Sequence, residues 1–194
     1  MHYGDEEINM IRVRAKELRK EKGQQFIYEG EVVTLAEKGF APYFTIELPD
    51  SFDYLPIEIV KRRFPMEDRP EYILGNNGAT VYAGFRKLTF TGLPLNERIV
   101  KYQSVMKKLH PSNFAFSIIH VLAEQTKYDT GVAAIDYRSP SIPRDWYNFI
   151  LFASLKRYDL LGWFFCPIED KDQWRPKFIE IIKTLKVLPG EEES

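Results

Sequence analysis

The chain has a single cysteine, Cys166, among its 194 residues. One thiol excludes an internal disulfide and suits a reducing, cytoplasmic compartment. Histidine is almost as scarce: His2, His110 and His120 stand far apart. Three scattered imidazoles and one thiol do not have the ligand spacing of a metal site, so neither a metal nor any other cofactor is expected. No apolar run reaches the roughly 20 residues that a membrane span needs. The opening segment, MHYGDEEINM, has acids where an export signal wants a basic region, and no apolar core follows. An excess of one charge is missing as well, since 27 Lys and Arg meet 28 Asp and Glu for a net charge of −1. That balance argues against electrostatic capture of nucleic acid or of a membrane surface. Gly75-Asn76-Asn77-Gly78 lacks the Gly-Lys-Ser/Thr of a phosphate loop and reads as a hairpin turn.

What the chain does have is large rings, 14% of its residues, enough to bury a sizeable core. They concentrate in the last third. Residues 132–137, 146–155 and 160–165 read as strands, and the second and third are apolar at consecutive positions. A strand that is apolar on both faces needs cover on both faces, so the sheet should lie between two layers. Trp174, Phe178, Ile181, Ile182 and Leu185 then recur at helical spacing.

Upstream, residues 5–22 read as a helix with a narrow stripe of Ile8, Ile11, Ala15 and Leu18, stopped by Gly23. It is expected to be an accessory to the fold or a route to self-association. Strands are predicted at residues 29–35 and 43–48, and a short helix at 57–63 after Pro56. A brief strand at 71–74 precedes the Gly75–Gly78 turn. The next strand, 80–91, changes phase: Val81, Ala83 and Phe85 share a face that Leu88 and Phe90 leave, which predicts a β-bulge near Arg86-Lys87. Pro94 opens a helix with Leu95, Ile99, Tyr102, Met106 and Leu109 on one side, closed by His110-Pro111. A long strand spans 114–127. Short links between strands make the sheet largely antiparallel, with helices as its covering layers. The organisation is an accessory helix over residues 1–24, one α+β domain over 25–188, and an acidic tail over 189–194.

No residue set nominates a reaction. Cys166 reads as a buried thiol with no adjacent base. His120 shares a strand face with Ile118 and Leu122 and reads as a hydrogen-bonded, half-buried side chain. Asp136 falls on the apolar face of Val132 and Ala134, where a carboxylate must be paired; Arg69 and Arg86 are its candidate partners. Lys61-Arg62-Arg63 with Phe64, Tyr72 and Tyr82 has the composition of a nucleic-acid patch, though a solvated helix end accounts for it more simply.

Several short motifs occur in order: Phe44-Thr-Ile-Glu-Leu-Pro-Asp-Ser-Phe52, Pro56-Ile-Glu-Ile-Val60, Phe64-Pro65, Arg69-Pro70, Thr80-Val81, Trp163-Phe-Phe-Cys-Pro167 and Trp174-Arg-Pro176. Over residues 43–188 the chain resembles small bacterial proteins related to the PsbP-like superfamily, which also holds the yeast Ran nucleotide-release factor and DcrB-like proteins. The resemblance implies an α/β/α sandwich with a central, mostly antiparallel sheet. It also implies function by docking, since characterised relatives bind a photosystem, a small GTPase or secreted effectors. No binding residue of those relatives maps onto a motif here.

The leading expectation is therefore a non-enzymatic, cytoplasmic, protein-binding domain. Arg69, in a proline-bracketed connection, with Tyr72, Tyr82 and Arg86 around the Gly75–Gly78 turn, is its candidate partner-facing surface. The alternative is a small-molecule or enzymatic pocket between sheet and helix, lined by Arg69, Tyr82, Arg86 and Asp136. Nucleic-acid binding ranks third. Melting of the purified protein should be unmoved by EDTA, ATP or GTP; a shift of several degrees with any of them would overturn this reading.

Overall fold

The two strands that are apolar at consecutive positions lie side by side at the middle of a seven-stranded sheet. A computed structural model describes residues 25–188 except 29, 66, 68, 79, 113, 122–130, 156 and 157. In chain order the elements are β1 (Gln25–Tyr28), β2 (Glu31–Phe40), β3 (Phe44–Pro49), β4 (Asp53–Tyr54), α1 (Ile57–Arg63), β5 (Tyr72–Gly75) and β6 (Tyr82–Thr89). There follow α2 (Leu95–Leu109), β7 (Phe114–Val121), β8 (Val132–Ser139), β9 (Trp146–Leu155), β10 (Tyr158–Pro167), α3 (Lys171–Ile182) and β11 (Lys186–Val187). The large sheet runs β4-β5-β6-β10-β9-β8-β7, and a smaller one runs β1-β2-β3-β11. Every pairing in both is antiparallel.

Pairing divides the side chains of the large sheet into two faces. Tyr147, Phe149, Leu151 and Ala153 of β9, with Leu160, Phe164 and Cys166 of β10, join the first core, which α3 and the small sheet cover. Ile150 and Phe152, with Leu161 and the half-buried Trp163, join the second, which α2 closes with Ile99, Leu95, Tyr102 and Met106. The strands are thus buried on both sides, and the α+β sandwich expected from them forms. One of its outer layers is composite, a helix beside a second sheet. Phe26, Phe40, Phe44, Ile46 and Leu48 of that sheet are buried in the first core. The predicted strands at 29–35 and 43–48 belong to this sheet as β2 and β3, because alternation identifies a strand and leaves its partners unspecified.

Each long helix is also fixed by one ion pair to a buried carboxylate. Arg98 of α2 meets Asp159 of β10 at 2.7 Å. The other Asp159 oxygen accepts the Thr91 N–H and hydroxyl, both at 3.0 Å. Arg175 of α3 donates to Asp136 of β8 at 2.7 Å, and the Tyr147 hydroxyl donates to the same oxygen at 2.9 Å. A buried carboxylate without partners would cost several kcal/mol, so these contacts fix where each helix can sit.

Two expectations are corrected. The β-bulge near Arg86-Lys87 is absent: Thr89 to Tyr82 pair without interruption with Tyr158 to Phe165. The phase change arose because β6 is buried on both sides, Ala83 and Phe85 in the first core and Leu88 against the second. A register shift occurs instead between Ala115 and Ser117 of β7. The partner of Asp136 is Arg175, since Arg86 points to the opposite face of the sheet. The helix at 5–22, the self-association resting on it, and the tail beyond residue 188 lie outside the described residues.

Phe178 of α3 connects these layers. Its ring lies 5.0 Å from Phe164, 5.9 Å from Phe149, 5.3 Å from Trp174 and 6.3 Å from Tyr147. Phe178→Ala should lower unfolding free energy by about 3–5 kcal/mol. Urea denaturation checks this, and an unchanged midpoint would place α3 outside the cooperative core.

Candidate functional site

The second face of the large sheet is covered unevenly. Helix α2 lies over β7, β8 and β9, and leaves the start of β6, the end of β10 and the start of β9 to another wall. That wall is the C-terminal end of α1. Its Lys61, Arg62 and Arg63 occupy the last turn, where cations complement the carbonyl end of the helix dipole. Phe64 caps the turn, donating its N–H to the Val60 carbonyl at 2.8 Å.

Between wall and sheet lies a groove of about 410 Å³, lined by Arg62, Arg63, Phe64, Tyr82, Trp146 and Phe165, with residues 139–141 at its edge. The rings form a continuous surface. Phe64 stands edge-on to Tyr82 at 6.1 Å and 6.0 Å from Phe165, and Tyr82 is 5.9 Å from Trp146. The Arg63 guanidinium sits 5.7 Å from the Trp146 ring centroid. A second depression of about 260 Å³ adjoins the first; Arg63 and Trp146 line both, and Gly78, Thr80, Pro143 and Arg144 complete it.

The loop before β9 forms the rim. Asp145 accepts from Arg138 Nε at 2.7 Å and from the Ser141 N–H at 3.2 Å. Those two donors, Arg138 foremost, hold its carboxyl below the usual carboxylate range. At the tip, Ile142 is 98% exposed. Beneath the loop, Asn148 Nδ2 donates to Ser139 Oγ at 2.8 Å and to the Trp146 carbonyl at 3.2 Å, fixing both sides of the rim. The floor is fixed too. Tyr82 is 2% exposed, and burial raises its phenol pKa against the opposing pull of Arg63 and Arg62.

The four residues nominated from sequence do not share one surface. Tyr82 and Arg86, four positions apart on one strand, point to the groove's face. Tyr72 pairs with Phe85, and so faces the first core, where its ring meets Phe40 at 5.1 Å. Arg69 is half-buried in the connection before β5. Its neighbour Pro70 lies against Gly84, where an added Cβ would come within 2.9 Å of the proline Cγ; glycine is what lets the connection approach the sheet. The pocket imagined from Arg69, Tyr82, Arg86 and Asp136 does not form, because Asp136 lies on the other side of the sheet in contact with Arg175 and Tyr147. Burial raises the Cys166 thiol, which sits in the first core away from the groove. His120 belongs to β7. Among the described residues no group of three His, Cys, Asp or Glu is placed to hold a metal, and no helix is long and apolar enough to cross a membrane.

Sequence reading did not nominate Trp146, Phe165 or Arg144. The basic-aromatic run Arg62-Arg63-Phe64 was visible, but the strand order that carries Trp146 to it was not.

No family model matches the chain, and no curated relative does. Among solved structures, it is similar to the cyanobacterial PsbP of Synechocystis sp. PCC 6803. The TM-score is 0.56 at 8% identity, covering 84% of this chain and 97% of that one. It also aligns with a Pseudomonas aeruginosa protein of unknown function, at a TM-score of 0.49 and 14% identity over 81% of this chain and 98% of that one. The fold is PsbP-like.

The rim gives a pH-dependent test. Because the folded-state pKa of Asp145 is depressed, its contribution to the loop is present above the ordinary carboxylate range and is lost as pH falls through the folded value. Arg138→Gln should raise the Asp145 titration midpoint, measured by carboxyl-carbon NMR. An unmoved midpoint would show that Arg138 does not set it.

Proposed function

We propose that this protein is a non-enzymatic, protein-binding domain and that the groove around Trp146 is its contact surface. The observation that carries this reading is the placement of the Arg63 guanidinium over the Trp146 ring beside Tyr82, Phe64 and Phe165. Tryptophan, tyrosine and arginine dominate the energetics of protein interfaces, since they combine large apolar area with directed hydrogen bonds at modest entropic cost. Ile142 at the loop tip adds an exposed apolar contact next to the arginines. The lining supports recognition over catalysis: it offers guanidinium, aromatic and hydroxyl groups, and burial raises the Tyr82 phenol pKa further above neutral. Of the residues nominated from sequence, Tyr82 supplies the floor and Arg86 shares its face. Tyr72 and Pro70, next to Arg69, brace the sheet around them. A cytoplasmic setting belongs to the same reading, supported by the reduced, buried Cys166.

The experiment is affinity recovery of partners from the native cell with wild type, Trp146→Ala and a control on the α2 surface, Val100→Lys. Trp146→Ala should reduce recovery of the specific partner by about tenfold or more while melting stays near normal, as for a hot-spot residue. Retained recovery with Trp146→Ala, or loss with Val100→Lys, would move the contact surface elsewhere.

A further inference from the structure

Two depressions joined at one tryptophan form a track for something longer than a single side chain. Arg62 lines the first, Arg144 the second, and Arg63 and Trp146 line both. Among the described residues, no Asp or Glu lines either. Among the described residues, Arg62, Arg63 and Arg144 have no carboxylate partner, and Asp145, the acid nearest in sequence to this rim, is engaged by Arg138 and the Ser141 N–H. Three guanidiniums with no carboxylate partner among the described residues stand around an aromatic floor.

We infer that the ligand of this groove is an extended acidic peptide segment of a partner protein, with a bulky apolar side chain over Trp146 and carboxylates reaching Arg62, Arg63 and Arg144. The inference rests on the reading of the groove as the contact surface and adds the chemistry of what it holds. Charge complementarity selects the acidic residues, because a guanidinium binds a carboxylate with two directed hydrogen bonds. The ring surface selects the apolar residue between them. The same chemistry could in principle take single-stranded nucleic acid, with bases on Trp146 and phosphates on the arginines. The charge distribution favours the peptide. Nucleic-acid binders track a long strand with a broad positive surface, whereas this positive patch is three arginines on a chain of net charge −1.

The test selects displayed random dodecapeptides on the full chain, on Trp146→Ala and on Arg62→Glu/Arg63→Glu. The selected peptide, fluorescein-labelled, is then measured by anisotropy against a labelled oligothymidine. Wild type should enrich Glu and Asp on either side of an aromatic or leucine residue. Charge reversal should weaken that peptide by about tenfold or more and shift the enrichment to Lys and Arg, and added salt should weaken wild-type binding. Arg62→Gln/Arg63→Gln, which removes the charge without reversing it, gives the same direction if the reversed variant folds poorly. Failure to enrich any peptide, or tighter binding of the oligothymidine with the same arginine dependence, overturns the inference. Neutral or basic peptides whose binding is lost with Trp146→Ala overturn the acidic ligand alone and leave the groove as contact surface. Acidic peptides indifferent to Trp146→Ala overturn the groove itself.

Discussion

The structure depends on two strands that cannot face water on either side. In β9 every residue from Tyr147 to Ala153 is buried, and β10 is nearly as enclosed. Each strand needs a core above and a core below, and the chain supplies them unequally. On one side α2 alone closes a small cluster; on the other, α3 and a four-stranded sheet together close a much larger one. At about 1.5–3 kcal/mol per fully buried large apolar side chain, the two interfaces supply most of the driving force for folding. They do so without dictating the lateral position of either helix.

That position is set by charge. Asp136 and Asp159 lie on opposite faces of the large sheet, and each meets an arginine from the helix on its own face. Apolar surfaces slide over one another at little cost, whereas a buried carboxylate has to find its donors. Asp159 finds them in Arg98 and Thr91, and Asp136 in Arg175 and Tyr147. By contrast, the exposed pair Lys183–Glu180 contributes on the order of 0.3–0.5 kcal/mol, too little to select a helix position.

The groove follows from where α2 is held. With its arginine tied to Asp159 near the turn into β10, the helix covers one end of the second face and leaves the other end to the short α1. The rings at that uncovered end, Tyr82, Trp146 and Phe165, are therefore met by Phe64 and two arginines in place of an aliphatic helix. The result is a partly open aromatic surface with cations along its edge, supported from below by Asn148 and at the rim by the Arg138–Asp145 pair.

Much of this fold was legible in the sequence because it is written in periodicity. Consecutive apolar residues in 146–155 and 160–165 announced a sheet covered on both sides. The spacings from Leu95 to Leu109 and from Trp174 to Leu185 announced the helices that cover it. The resemblance to PsbP-like proteins agreed with both, and so does the fold. Local chemistry was equally readable: Pro56 and Pro94 open helices, and Asn76 closes its turn by accepting from the Thr80 and Val81 N–H groups. What periodicity could not specify was partnership. Whether β2 and β3 join the large sheet or found a second one, and whether Asp136 meets Arg86 or Arg175, depends on contacts between residues far apart in the chain. The face of a side chain in a paired strand depends on a single step of register, which separates Tyr72 from Tyr82. The sequence by itself determined the elements and the need for two cores. Tertiary structure alone decided that Arg63 and Trp146, 83 positions apart by their numbers, would meet, because only strand order and helix placement bring them to the same uncovered end of the sheet.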